Sequence, residues 1–190
     1  MTEPSLIFPA REFRRRCVAL QEAMAREGMA AILLTGAADI FYVTGFLTRF
    51  WESPARPWFL IVPADRDPVA VIPAIGAELM GRTWIADIRT WDAPDPVDDG
   101  VSLLSETLRE VVPLGGGIGV PMGLETSLRM PLMDFFRVET NVGGRQIRDA
   151  TAVIQRVREI KSEAEIDKIR AICGIAGSAF EHVPQVVAAA

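Results

Sequence analysis

A single histidine, His182, is the first constraint on the chemistry open to this chain. Zinc sites, haem ligation and Ser-His-Asp catalysis all lean on imidazole. With one histidine in 190 residues, such chemistry would need carboxylates or a second chain. His182 stands beside a terminal apolar segment and reads as a surface or capping residue. The stretch "DAPDPVDDG" (92–100) gathers four aspartates, which together could meet a cation. It lacks the regular spacing of a calcium loop, and its two prolines suit a solvated loop. "PLGGGIGVPMG" (113–123) invites phosphate chemistry. A dinucleotide fingerprint, however, follows a strand and opens a helix. Here the glycines follow an expected helix and precede an expected strand; Pro121 breaks the spacing, and no Lys-Ser or Lys-Thr pair follows. The run reads as a helix-to-strand turn, with small residues where the chain passes close to a neighbour.

The elements that must position any site follow from periodicity. Phe13, Cys17, Leu20 and Met24 recur on one face of a helix from Pro9 to Glu27, which Gly28 stops. "AAILLT" (30–35) reads as a buried strand. In "ADIFYVTGF" (38–46), Asp39 could cap a short helical turn that Gly45 ends. "PWFLIVP" (57–63) and "PVAVIP" (68–73) read as a hairpin, with prolines at strand ends where a missing N–H is tolerated. A short helix over 74–82, a strand over 83–91, a helix over 101–112 and a strand over 117–120 follow. A helix over 124–136 broken near Pro131, a last strand over 137–141 and a helix over 150–160 complete the series. This alternation predicts an α/β fold: a mixed sheet of about five or six strands, with helices on both faces.

Apolar residues make up 49% and charged residues 24%, ordinary globular values. The net charge of −5 argues against nucleic acid as a partner. The N-terminus shows no basic segment followed by an apolar run, and no stretch approaches the ~20 apolar residues that span a bilayer. Two cysteines far apart, Cys17 and Cys173, suit a reducing compartment, so the expected location is cytoplasmic.

"REIKSEAEIDKIRAI" (158–172) contains a capping box, with Ser162 as N-cap and Glu165 three residues on. Ile166, Ile169, Cys173 and Ala176, joined by Ile172 and Phe180, make an apolar stripe, and Pro184 should end or kink the helix. Such a helix is marginal without a packed face. The α/β unit looks complete by about residue 141, so the expected partner lies outside this sequence. The expectation is a truncated chain, cut inside a second domain: 1–145 the α/β domain, 146–161 a linker helix, and 162–190 the first helix of the next domain.

Two segments in order carry a resemblance. "EFRRRCVALQEAMAREGMAAILLTGAADIFYVTGF" (12–46) and "RVREIKSEAEIDKIRAI" (156–172) resemble the opening and the inter-domain signature of the creatinase, prolidase and aminopeptidase P family of pita-bread metallohydrolases. Asp39 departs from the asparagine commoner at its place. The resemblance implies a creatinase N-terminal-like domain with a ribonuclease-H-like motif. It further implies an absent C-terminal catalytic domain, in which two divalent metals (Mn, Zn or Co) activate a water against a C–N bond. None of those ligands maps here, so this chain alone should hold no catalytic metal and hydrolyse nothing. Implied partners are its own catalytic domain, a second copy in a homodimer and a small carboxylate or peptide substrate, with no membrane. Xaa-Pro peptides, creatine-like compounds and osmolytes are all handled by relatives. The domain would cap the partner's site through "FLTRFWESPARPWFLIVP" (46–63). There Arg56 matches the position of a carboxylate-binding arginine, and Trp51 and Trp58 would wall the substrate. A planar guanidinium suits a carboxylate, and tryptophans exclude water. The alternatives are an Arg56–Glu52 surface pair with tryptophans filling the sheet edge, and for the whole chain a free-standing α/β ligand-binding or regulatory domain. A nucleotide-binding enzyme would need the phosphate loop that is missing.

Overall fold

The computed structural model describes residues 7–53 and 56–188. Residues 1–6, read above for a leader, Pro54 and Ala55, and the last two residues lie outside the described residues. Helix α1 (Ala10–Arg26) leads into strand β1 (Met29–Leu34) and helix α2 (Ala37–Thr44). Then come β2 (Phe59–Pro63), β3 (Val69–Pro73), α3 (Ala77–Met80), β4 (Asp87–Trp91) and α4 (Val101–Val111). The chain continues as β5 (Gly117–Val120), α5 (Leu132–Asn141), β6 (Gln146–Asp149), α6 (Thr151–Glu159) and α7 (Glu163–Ala188).

The strands form one six-stranded sheet in the order β4-β3-β2-β1-β5-β6. The pairs β1–β2 and β2–β3 are antiparallel; β3–β4, β1–β5 and β5–β6 are parallel. This is the mixed α/β sheet that the alternation of elements predicts. Because side chains alternate along a strand, each central strand feeds two cores. Ile32 and Leu34 of β1 join Leu60 and Val62 of β2 under α1, α2 and α6. Ala31 and Leu33 join Phe59 and Ile61 under α4 and α5. Both faces of the inner strands are therefore apolar, which is why they read as unbroken hydrophobic runs.

The glycine-rich turn has the role expected of it. A Cβ on Gly119 would sit 2.8 Å from both Ala150 Cβ and Met29 Sδ. Glycine there lets β5 lie flush beside its neighbours, with no phosphate implied.

Several readings are corrected. Asp39 is not the cap of α2; Gly36 is, and Asp39 lies in the first turn, where its charge suits the helix dipole. Pro131 does not break a helix over 124–136. It caps the start of α5, and its carbonyl accepts from Phe135 N–H at 3.1 Å. A proline's missing N–H costs nothing at that end. Residues 137–141, expected as the last strand, are the second half of α5, with Phe135, Val138 and Val142 buried at helical spacing. The last strand is instead the polar β6 at the sheet edge, where little burial leaves no apolar pattern to read.

The chain divides into two compact units between residues 157 and 158, with described residues 7–53 and 56–157 in the first and 158–188 in the second. Residues 146–157, expected as part of a linker, supply β6 and most of α6 to the first unit; Val153 and Ile154 are buried in its core. In the second unit the capping box is present. Ser162 N–H donates to Glu165 Oε2 at 2.9 Å, and Glu165 N–H donates to Ser162 Oγ at 3.2 Å. Helix α7 continues past Pro184, contrary to expectation. Proline removes one i→i−4 bond, but its fixed φ is itself helical. Along α7, Ile169, Ile172, Ile175 and Phe180 are exposed. Among the described residues, no helix is long and apolar enough to cross a membrane.

Candidate substrate-facing groove

The segment expected to face substrate begins at the end of α2. Thr44 is buried; its hydroxyl donates to Ile40 O at 2.7 Å and accepts from Phe46 N–H at 2.9 Å. Gly45, at φ 77°, then turns the chain out of the helix. Thr48 caps a single 3₁₀ turn, Arg49–Glu52, by accepting from Phe50 N–H at 3.2 Å. That turn presents Trp51 half-buried.

Beneath it lies an aromatic cluster. The Trp58 ring is 5.3 Å from Phe46, 5.8 Å from Trp51 and 6.4 Å from Phe50, centroid to centroid. Trp58 is fully buried, at 0% exposure. In this arrangement it presents no surface to a ligand; it backs the Trp51 ring. A Cβ on Gly76 would fall 2.2 Å from the Trp58 ring, so only glycine leaves that indole its seat. Arg56 is half-buried, with its guanidinium carbon 5.4 Å from the Phe50 centroid. It forms no ion pair with Glu52; the surface pair considered from sequence is absent among the described residues.

Sequence reasoning missed Arg129. The residue lies in the irregular segment between β5 and α5, expected to be helix, and no motif marks it. Its N–H donates to Thr35 Oγ1 at 2.9 Å, at the carboxyl end of β1. Its Nη2 donates to Ser53 O, and its guanidinium carbon lies 5.0 Å from the Trp51 centroid. Arg129 thus ties the 127–131 segment to the Trp51 turn. Burial pushes the Arg129 guanidinium pKa below the usual arginine value.

Trp51, Glu52 and residues 127–131 line an open groove of about 540 Å³. Leu128 is shared with an adjoining apolar hollow of about 220 Å³ formed with Val120, Thr126 and Phe135. The location has a topological cause. Strands β1 and β5 are parallel neighbours. After β1 the chain goes to α2 on one face; after β5 it goes to α5 on the other. The divergence leaves a crevice beyond the carboxyl ends of the two strands, where open α/β sheets place ligands. No group of three or more His, Cys, Asp or Glu among the described residues could hold a metal ion. The described residues do not fit a pair of divalent metal ions.

A family model, the Creatinase/Prolidase N-terminal domain, matches residues 16–160. The chain belongs to that family. A probable dipeptidase PepE of Mycobacterium bovis is 28% identical over 178 residues, covering 93% of this chain and 43% of that protein. An uncharacterized hydrolase/peptidase, y4tL, of Sinorhizobium fredii is 25% identical over 188 residues, covering 95% of this chain and 46% of that protein. The creatinase/prolidase N-terminal domain thus spans less than half the length of these curated relatives. Its fold matches a prolidase of Thermococcus sibiricus with TM-score 0.73 and 20% identity, over 90% of this chain and 43% of that one. It also matches the N-terminal domain of the cytoplasmic peptidase PepQ of Mycobacterium tuberculosis, with TM-score 0.56 and 16% identity, over 75% of this chain and 98% of that domain.

Proposed function

We propose that this creatinase/prolidase N-terminal domain is the substrate-capping and dimerising part of a longer hydrolase that cleaves a C–N bond, of the Xaa-Pro dipeptidase or creatinase-like kind. The observation that carries the reading is the family match over 16–160 together with a crevice at the β1–β5 carboxyl ends. The relatives' length supports a separate catalytic domain, in which two divalent metal ions would activate water. In a dimer the Trp51 turn would cover the partner's site, with Arg56 and Trp51 against the substrate and Trp58 positioning Trp51 from beneath. By this reading residues 162–190 belong to the first helix of the catalytic domain, the chain acts in the cytoplasm, and alone it is not a catalyst.

The test uses the longer polypeptide that continues this sequence, loaded with Mn, Zn or Co and offered Xaa-Pro dipeptides and creatine. Turnover that a chelator abolishes is expected, with none from the 190-residue chain under the same conditions. Arg56→Ala should lower kcat/KM more than about tenfold, mainly through KM. Turnover by the 190-residue chain alone would refute the reading. A longer chain with no hydrolytic activity and a ligand bound in the crevice would favour the free-standing ligand-binding domain.

A further inference from the structure

We infer that the groove between Trp51 and Arg129 is a carboxylate-binding subsite, with Arg129 as the residue that receives the anion. For its choice of ligand, a small peptide carboxylate, the inference rests on the capping function proposed above; its geometry does not depend on that reading. Several other arginines of the chain are engaged. Arg16 holds Glu12, Arg89 holds Asp87 and Glu110, and Arg137 holds Asp134. Arg145 uses Nε, Nη1 and Nη2 on backbone carbonyls. Arg129 has neither kind of saturation. Among the described residues only its Nη2 is bonded, to Ser53 O; its buried Nε meets no acceptor there, and Nη1 makes no hydrogen bond. Glu52 lines the same groove but forms no ion pair with it among the described residues.

A half-buried cation without a counterion is an electrostatic cost that an arriving anion removes. Trp51 Nε1 is also buried, a second N–H that meets no acceptor among the described residues. Meanwhile the site is held still from several sides. Thr35 fixes the Arg129 backbone, Ser53 fixes one end of the guanidinium, and the Trp51 ring covers a face of it. A planar fork restrained in this way loses little freedom on taking a carboxylate, and it accepts the anion in preference to a neutral amide.

The test is nuclear magnetic resonance on the isotope-labelled 190-residue chain, titrated with glycyl-L-proline and, separately, with glycyl-L-prolinamide. The expected result is a saturable shift of the Arg129 Nε–H and Trp51 indole N–H resonances with the free acid and none with the amide. Arg129→Gln should weaken the binding about tenfold or more. Arg129→Lys should bind at an intermediate level, because charge persists without the fork. Arg66→Gln, at the opposite end of the sheet in the β2–β3 turn, should bind as the parent does. Glu52→Gln should bind about twofold tighter, because one like charge leaves the groove.

Equal shifts with the amide, no saturable shift, or parent-like binding by Arg129→Gln would each overturn the inference. If Arg129→Gln does not fold, the acid–amide comparison on the parent chain decides alone. If the longer polypeptide shows both resonances already displaced and insensitive to dipeptide, the anion is one of its own acidic side chains, and the small-ligand subsite is refuted. The capping function can fail without this one: an inert longer polypeptide would leave the shifts intact, whereas an active one without them removes the subsite alone.

Discussion

Burial pushes the Cys17 thiol up to about 12, with the neighbouring Asp67 carboxylate adding to the rise. A thiol in that state is a small core hydrophobe, and the thiolate that reacts is scarce. Cys173 is exposed, and both cysteines are free. Native protein at mildly alkaline pH should therefore react with a chromogenic disulfide at one thiol, and at both after denaturation. Rapid reaction of both in the native state would mean that α1 opens far more readily than its packing implies. Legibility divides along the same line at this scale. Cys17 could be placed because it repeats with Phe13, Leu20 and Met24 on one helix face. Arg129 could not, because nothing in a single arginine's neighbours announces contacts with Thr35, Trp51 and Ser53, each far away in sequence. Arg56 and Trp51 were available as candidates through the family resemblance. The burial of Trp58 was not, since a tryptophan at a strand's start can turn to either side.

Elements were legible wherever both faces of a strand, or one face of a helix, meet the core. The inner strands and α1 carry that pattern in their composition. It fails at the edge. Residues 146–149 pair with β5 through backbone bonds alone, and their side chains are largely exposed, so the sequence there is polar. Residues 137–141 mislead in the opposite direction, because valine and threonine among charges mimic a strand while Val138 packs at helical spacing from Phe135. Packing between elements also makes a prediction. The short turn at Ala74–Gly76 supports Trp58, and a Cβ at Gly76 would meet that ring at 2.2 Å, with Ile72 at 3.4 Å. Neither neighbour can retreat, since both are fully buried. Gly76→Ala should then destabilise the domain by about 1–3 kcal/mol, read as a lower denaturant midpoint at unchanged slope. It should also shift tryptophan emission, as the aromatic cluster under Trp51 gives way. An unchanged midpoint would show that the indole has room to tilt.

At the scale of the whole molecule, the outstanding feature is a helix that is well started and poorly buried. The capping box satisfies donors at the head of α7, and Glu163 and Glu165 place negative charge in its first turn. Caps and propensity alone leave a helix of this kind marginal in water. The remaining stabilisation has to come from covering Ile169, Ile172, Ile175 and Phe180, all exposed here. Gly174 and Gly177 would meet nothing within 4 Å if given a Cβ, which leaves open the close backbone approach that glycines in a helix permit. We propose that the remainder of a longer hydrolase covers this stripe. In hydrogen exchange, the α7 amides of the monomeric 190-residue chain should then exchange at least about a hundredfold faster than those of α1. In the longer polypeptide they should slow toward the α1 rate. The comparison with α1 matters because α1 is buried along Phe13, Cys17, Leu20 and Met24 and so reports the opening of the first unit as a whole. Protection of α7 equal to α1 in the shorter monomer would show that the helix needs no further cover, and the reading of residues 162–190 as the start of a catalytic domain would lose its physical ground.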